Sequence, residues 1–260
     1  MKFWKYSGAG NDFILFHGDG HSLPSTNLIQ KLCDRKFGIG ADGVLWINTK
    51  LDKHDFKMTY FNADGGEVEM CGNGARASVH WYCSSFNETE ARFVTNHAET
   101  YRAKLLAPDL ATVTMNTNKD ANKIDISDLI KCQESFYINT GVPHCVFVLS
   151  DDQDIYSDKW MQLAPQVRRD QRFERGSNIN FAKVVAPGSL VVRTFERGVE
   201  AETLACGTGA VAVARLMNQK HGWQKIKIKV GGGDLEASFE QTDCWLAGPI
   251  VQVFNGEIDV

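Results

Sequence analysis

No apolar run in this 260-residue chain is long enough for a membrane span or a signal peptide, which sets the expectation of a soluble, cytoplasmic protein. Lysine and arginine do not cluster, and the net charge of −4 argues against a nucleic-acid surface. No low-complexity tract interrupts a composition that is 43% apolar and 23% charged, so the chain reads as globular and long enough for two domains. Its seven cysteines include no Cys-x-x-Cys pair and no spacing of a zinc site, so no metal is expected and free thiols are. Cys33, Cys83, Cys132, Cys145 and Cys244 sit in settings that suit small apolar filler.

Cys71 and Cys206 depart from that pattern. Residues 67–75 read EVEMCGNGA and residues 202–210 read ETLACGTGA, with the two cysteines 135 positions apart. Each cysteine leads into a helical stretch, ARASVHWYCSS or AVAVARLMNQK. A thiol at a helix N-terminus faces unsatisfied N–H groups and the positive end of the macrodipole. That setting favours the thiolate and draws a cysteine pKa down from about 8.5. Two such thiols point to acid–base chemistry on opposite faces of one small molecule. The glycines that follow let the backbone approach an anion, or serve a tight strand-to-helix turn, and both readings hold together.

Other segments repeat in the same order. SGAGNDFILF (7–16) lines up with TGVPHCVFVL (140–149) at an offset of 133, and TYFNADG (59–65) falls on TFERGVE (194–200) at 135. Short apolar runs between turn residues, such as FILF, GVLWI, CVFVL and KIKIKV, and a closing CWLAGPIVQVF, predict mostly antiparallel strands. Helices are expected over 25–36 and about 157–170, and after each motif cysteine, with Gly222 capping the last. That last helix is apolar on nearly every side and needs a sheet wrapped around it. The polar stretch 116–133 reads as the break between copies.

The strings SGAGNDF, FGIGADG, FNADGGEVEMCGNGAR, TGVPHCV, NIN, FERG and ACGTGA resemble the diaminopimelate epimerase family along nearly the whole chain. The resemblance implies an α+β fold of two pseudo-symmetric domains, each a mostly antiparallel β-barrel or roll around a central helix. The halves would be 1–115, joined by a C-terminal strand at about 252–260, and 116–251, with one cysteine from each in a cleft between them. It implies epimerisation of LL-2,6-diaminopimelate to the meso form for lysine and peptidoglycan synthesis, with no cofactor. Cys71 and Cys206 match the family's alternating base and acid, and His144 and Glu196 match residues beside the reacting centre. Asn11, Asn62 and Asn178 match substrate-binding asparagines. Arg197 matches the arginine that holds the distal carboxylate, a task suited to its bidentate fork. Gly72–Asn73 and Gly207–Thr208 match the anion-binding turns, with Glu196 also reaching the substrate. The expected partner is that amino acid, with neither nucleic acid nor membrane, and assembly as a homodimer is left open.

Three positions depart from the family pattern: Val142 stands where many members have Asn, Gly43 where some have Gln, and Phe254 where some have Tyr. Lost distal polar contacts weaken rejection of the wrong ligand, so a wider substrate range reaching glutamate is an expectation. The alternatives are a related pyridoxal-phosphate-independent racemase of the glutamate, proline or hydroxyproline type, a PhzF-like isomerase, and a non-catalytic thiol redox or metal-binding protein. Arg197 and the asparagines favour a long substrate with a second charged end.

Overall fold

The computed structural model describes residues 1–97, 99–116, 120–174 and 176–259. It is mixed α+β and divides into two compact units, Met1–Thr114 with Ala247–Val260, and Met115–Leu246. The first carries β1 (Lys2–Gly8), β2 (Asn11–His17), α1 (Thr26–Cys33), β3 (Gly43–Asn48), β4 (Phe56–Asn62), β5 (Glu67–Val68), α2 (Gly72–Phe86), β6 (Glu90–Thr95), β7 (Thr100–Ala107) and β8 (Leu110–Met115). The second carries β9 (Asn122–Lys123), β10 (Glu134–Asn139), β11 (Pro143–Val148), α3 (Lys159–Arg168), β12 (Asn178–Ala186), β13 (Ser189–Glu196), β14 (Ala201–Thr203), α4 (Gly207–His221), β15 (Lys225–Val230), β16 (Gly233–Glu240) and β17 (Asp243–Pro249). A last strand, β18 (Val251–Glu257), lies antiparallel to β1.

The strand directions repeat as the sequence does. In the first unit β1–β2 is a hairpin, β3 runs parallel to β2, β4 returns antiparallel, short β5 follows, and after α2 strand β6 lies parallel to β4. In the second, β10–β11, β12, β13, β14 and β15 repeat those relations around α3 and α4. The sequence offset of 135 slips by one residue on the fourth strand. Phe61 pairs with Val44 and packs in the α1 core, while Phe195 pairs with Ile179 and packs in the α3 core. That pairing sets Asn62, not Phe61, opposite Glu196 in the comparison of copies. The first unit has one residue more before this phenylalanine and one fewer between it and the cysteine, so the two changes cancel at the motif.

Each motif helix is the core of its unit. Gly207, Gly209–Ala214, Leu216 and Met217 of α4 are buried, which leaves it no solvent face over its first three turns. Gly222 closes it with φ of 70° and an N–H bonded to Asn218 O. Helix α1 ends at Cys33, short of the expected 36, because the Asp34 carboxylate accepts the N–H groups of Lys36 and Phe37 and turns the chain. The stretch 116–133 is more than a polar break: Ile126 and Ile130 are buried against Phe147, Trp160 and Phe181. The closing run CWLAGPIVQVF forms two strands, broken at Ile250, whose N–H donates to Asp109 O at 2.9 Å.

Burial also sorts the thiols. It pushes Cys33, Cys83 and Cys132 up to about 11 and Cys145 and Cys244 up to about 12, which keeps all five protonated at neutral pH. Among the described residues no helix is long and apolar enough to cross a membrane, and no group of three His, Cys, Asp or Glu side chains could hold a metal ion.

Because Leu216 is fully buried in α4, Leu216→Ala should cost about 2–5 kcal/mol. Leu106, 53% exposed, should lose less than about 0.5 kcal/mol on the same change. Urea unfolding of the two variants checks this, and equal losses would contradict a core centred on α4.

Candidate active site

In the first unit a two-residue turn, Ala9–Gly10, joins β1 to β2 with both residues at positive φ (51° and 90°). A left-handed alanine is strained, and it delivers Asn11 at the hairpin tip. From there a directed chain of hydrogen bonds runs to the motif helix. Asn11 Nδ2 donates to Asp42 Oδ2 (3.1 Å), Asn73 Nδ2 donates to Asn11 Oδ1 (2.5 Å), and Arg76 Nη2 donates to Asn73 Oδ1 (2.6 Å). Asp42 and Asp12 are held by the Arg35 fork, and Lys5 Nζ donates to Asp12 at 2.6 Å. Burial would raise the Asp12 carboxyl, but its bonds to Arg35 and Lys5 outweigh that and hold it at about 2.

Cys71 is the N-cap of α2, and its Sγ accepts the N–H of Gly74 at 3.3 Å. Gly74 lets the turn approach Leu45 closely: a Cβ there would lie 2.9 Å from the end of that side chain, which would have to shift. Asn62 ends β4, exposed, in the pair it forms with Gly43. Gly43 leaves no vacancy. The Tyr60 ring fills that space, its Oη 2.9 Å from where the Cβ would be. A Cβ there would also lie 2.3 Å from Phe61 O, so this backbone has no room for a side chain at 43. Phe254 packs edge-on against Phe3, so its missing hydroxyl bears on that contact.

In the second unit Cys206 is the N-cap of α4, with its sulfur 3.5 Å from the Thr208 hydroxyl. The Thr208 carbonyl accepts Thr140 Oγ1 at 3.2 Å, which ties this turn to the β10–β11 connection where half-buried Val142 sits. His144 on β11 is completely buried. Asn180 Nδ2 lies 3.0 Å from its Nδ1, and the amide is oriented by donating to Cys145 O and accepting Thr194 Oγ1. His144 Nδ1 therefore accepts, and the ring proton is on Nε2, which makes no hydrogen bond within the protein. Burial, with Arg197 adding to it, pushes this imidazole down to about 3, so it is neutral at pH 7. Asn178 Nδ2 donates to Pro143 O and its Oδ1 accepts the N–H of Arg197 at 2.9 Å, which fixes the backbone at Arg197. Glu196 ends β13 and accepts Thr203 Oγ1 at 2.5 Å.

The structure thus gathers Cys71, Gly72, Asn73 and Asn11 in one unit, and Cys206, Gly207, Thr208, His144, Asn178, Glu196 and Arg197 in the other. Two residues at these turns were not singled out from the sequence. Arg76 is a lone charge in an otherwise apolar helix start, and Asn180 shares the face of Asn178 two residues on, in the NIN string. Asn180 Oδ1 would lie 2.3 Å from a Cβ at Gly209, so it packs directly on the α4 turn.

Two copies of a β-rich unit, each built around a central helix, make up a duplicated α+β fold. A phenazine biosynthesis protein of the PhzF family from Enterococcus faecalis has the same fold, with a TM-score of 0.74 at 11% identity over 100% of this chain and 99% of that one. The sequence places the chain more narrowly. The model of the family described as diaminopimelate epimerase matches residues 3–118 and 136–257. The diaminopimelate epimerase of Flavobacterium psychrophilum is 38% identical over 99% of this chain and all of its own length. That of Methanocella arvoryzae is 36% identical over 100% and 97%. The chain belongs to the diaminopimelate epimerase family.

His144 ties stability to pH with a definite sign. An unfolded histidine takes up a proton near pH 6.5 while folded His144 resists until about 3. Its contribution is complete above about pH 6.5 and is lost as pH falls toward 3, with a slope of about 1.4 kcal/mol per pH unit. In His144→Gln, urea unfolding between pH 4 and 6 should depend on pH by one proton less than in the parent protein. An unchanged slope would contradict a neutral buried imidazole.

Proposed function

We propose that this chain is an isomerase that interconverts LL- and meso-diaminopimelate without a cofactor, using Cys71 and Cys206 as an alternating base and acid. The observation that carries the reading is the repeated cap: in a chain of this family, each unit's buried helix begins at a cysteine followed by Gly-x-Gly-Ala.

The chemistry follows from what those turns supply. One thiolate removes the α-proton, the electron pair passes into the carboxylate, and the opposing thiol returns a proton on the other face. The second cysteine is then the thiolate, and the reverse reaction runs from that state. Two groups matched near working pH serve both steps. The carboxylate gains charge as the carbanion forms, and preorganised donors lower that barrier most. N–H groups of the first turns of α2 and α4 are such donors. The Nε2–H of His144, buried and without a protein acceptor, is another. Arg197, its backbone fixed by Asn178, is suited to the distal carboxylate. Asn11, Asn62, Asn73 and Glu196 complete the substrate contacts, with the Asn11 and Asn73 amides held in place by each other and by Asp42.

Val142 favours a second, wider reading, because an apolar side chain stands where a polar contact to the distal end is common in the family. On that reading L-glutamate is also turned over. We further propose that the protein works in the cytoplasm and that two copies assemble.

Proton NMR of the reduced protein with LL-diaminopimelate in D2O, no cofactor added, tests the main reading. The α-proton signal should disappear, and Cys71→Ser and Cys206→Ser should each slow epimerisation on the order of 10²–10⁴-fold. Full activity in either variant would refute the two-thiol mechanism. A parallel run on L-glutamate, with no exchange at high enzyme concentration, would refute the wider range.

A further inference from the structure

The two cysteine turns match in backbone and differ in charge. Five residues after each cysteine stand Arg76 and Val211, at equivalent positions of two 15-residue helices. Arg76 is completely buried in the first turns of α2. Among the described residues no carboxylate pairs with it. Nη2 donates to Asn73 Oδ1, Nη1 lies 3.4 Å from Gly72 O, and Nε has no partner. A buried guanidinium without an anion is costly, and proteins keep one only where something compensates for it.

Both of its bonded partners adjoin Cys71 in the chain, so the guanidinium lies in the turn that carries this thiol. Burial lowers the arginine to about 10 and the Cys71 charge raises it. The other charges near α2 are turned elsewhere. On β1 and β2, Lys5 and Asp12 share the parity of Phe3, Ile14 and Phe16, which face the α1 core, and they pair with each other and with Arg35. Strand β3 has no charged residue, and on β4 Lys57 alternates with Phe56 and Met58, which are buried. Glu90, Arg92, Arg102 and Lys104 alternate with the buried Ala91, Phe93, Tyr101 and Ala103 of β6 and β7. His80, further along α2, is half-buried, lowered by that burial and bonded to Pro108 O. Glu67 accepts the Asn96 amide, and Glu69 is exposed.

The sulfurs differ in the same sense. Cys71 Sγ accepts a backbone N–H, whereas Cys206 Sγ sits beside the Thr208 hydroxyl, next to Asn180 and Thr194 at Gly209. The strand residues over the two turns, Leu45 and Asn180, are apolar on the Arg76 side and neutral polar on the other.

We propose that Arg76 is a positioning residue that holds Cys71 as the thiolate of the resting enzyme, leaving Cys206 as the resting thiol, and fixes Asn73 and Asn11 through the same fork. This rests on the reading of Cys71 and Cys206 as the acid–base pair. It makes Cys71 the base in the first half-reaction on a free enzyme. The first copy buries an arginine at the position where the second has Val211.

The test is the pH dependence of iodoacetamide alkylation of the reduced full chain, without substrate, read peptide by peptide by mass spectrometry. In the parent protein Cys71 should reach half its maximal rate at a lower pH than Cys206. Arg76→Met should raise the Cys71 midpoint by at least about one unit and slow its alkylation near pH 7 about tenfold, leaving the Cys206 curve in place. Arg76→Lys, which keeps the charge and loses the fork, should recover most of the Cys71 rate. A Cys206 midpoint below that of Cys71 in the parent protein would overturn the proposal, and needs no variant to fold. So would an unmoved Cys71 curve in Arg76→Met, or equal shifts of both curves. Proton exchange on LL-diaminopimelate is measured separately, so the alkylation result can fail while the epimerase reading stands.

Discussion

Everything in this molecule that bears on chemistry depends on a helix that starts at a cysteine and has nowhere to go but the core. Gly74 and Gly209 let the first turn of each helix lie close against Leu45 or Asn180, where an added Cβ would make those side chains shift. Packing on all sides of α4, and on most of α2, fixes the axis and so fixes where the cap points. The four free N–H groups of a helix start are then held in one place. A loop could present the same thiol, but without that rigidity or that field.

Duplication supplies this device twice, and divergence has made the copies unequal. Arg76 corresponds to Val211, Leu45 to Asn180, and Asn73 to Thr208. The first turn is tied by a run of donors from Arg76 through Asn73 and Asn11 to Asp42. The second is backed by a neutral histidine held by Asn180, which Thr194 in turn holds. An epimerase needs its two groups alike enough to exchange roles, and different enough that one is charged when substrate arrives. A shared backbone with unlike side chains beneath it meets both needs.

The motif pairs, the strands and the four helix positions were legible in the sequence because they are local: periodicity, caps and turn residues report on neighbours in the chain. Less visible were features that exist only once strands are in register. The extra residue before Phe61 and its compensation before Cys71 left the cysteine offset intact and hid the slip between. Ile126 and Ile130 stand in a polar stretch whose core role requires α3 and β11 beside it. Gly43 looked like a lost contact because the sequence does not say that Tyr60 turns into the same space. Arg76 was visible as a charge in an apolar run, but its lack of a carboxylate partner can be read only from the folded neighbourhood.

The central claim is that two groups, rather than one, handle the proton, and the fate of the hydrogen tests it most directly. LL-diaminopimelate is incubated with the reduced enzyme in D2O and stopped at a few per cent conversion, and the label at the α-carbons of substrate and product is read by mass spectrometry. Two thiols on opposite faces predict a meso product carrying solvent deuterium at the inverted carbon, while the remaining LL substrate keeps its original hydrogen. A meso product that retains the original hydrogen would mean that one group carries the proton across, and would contradict the account.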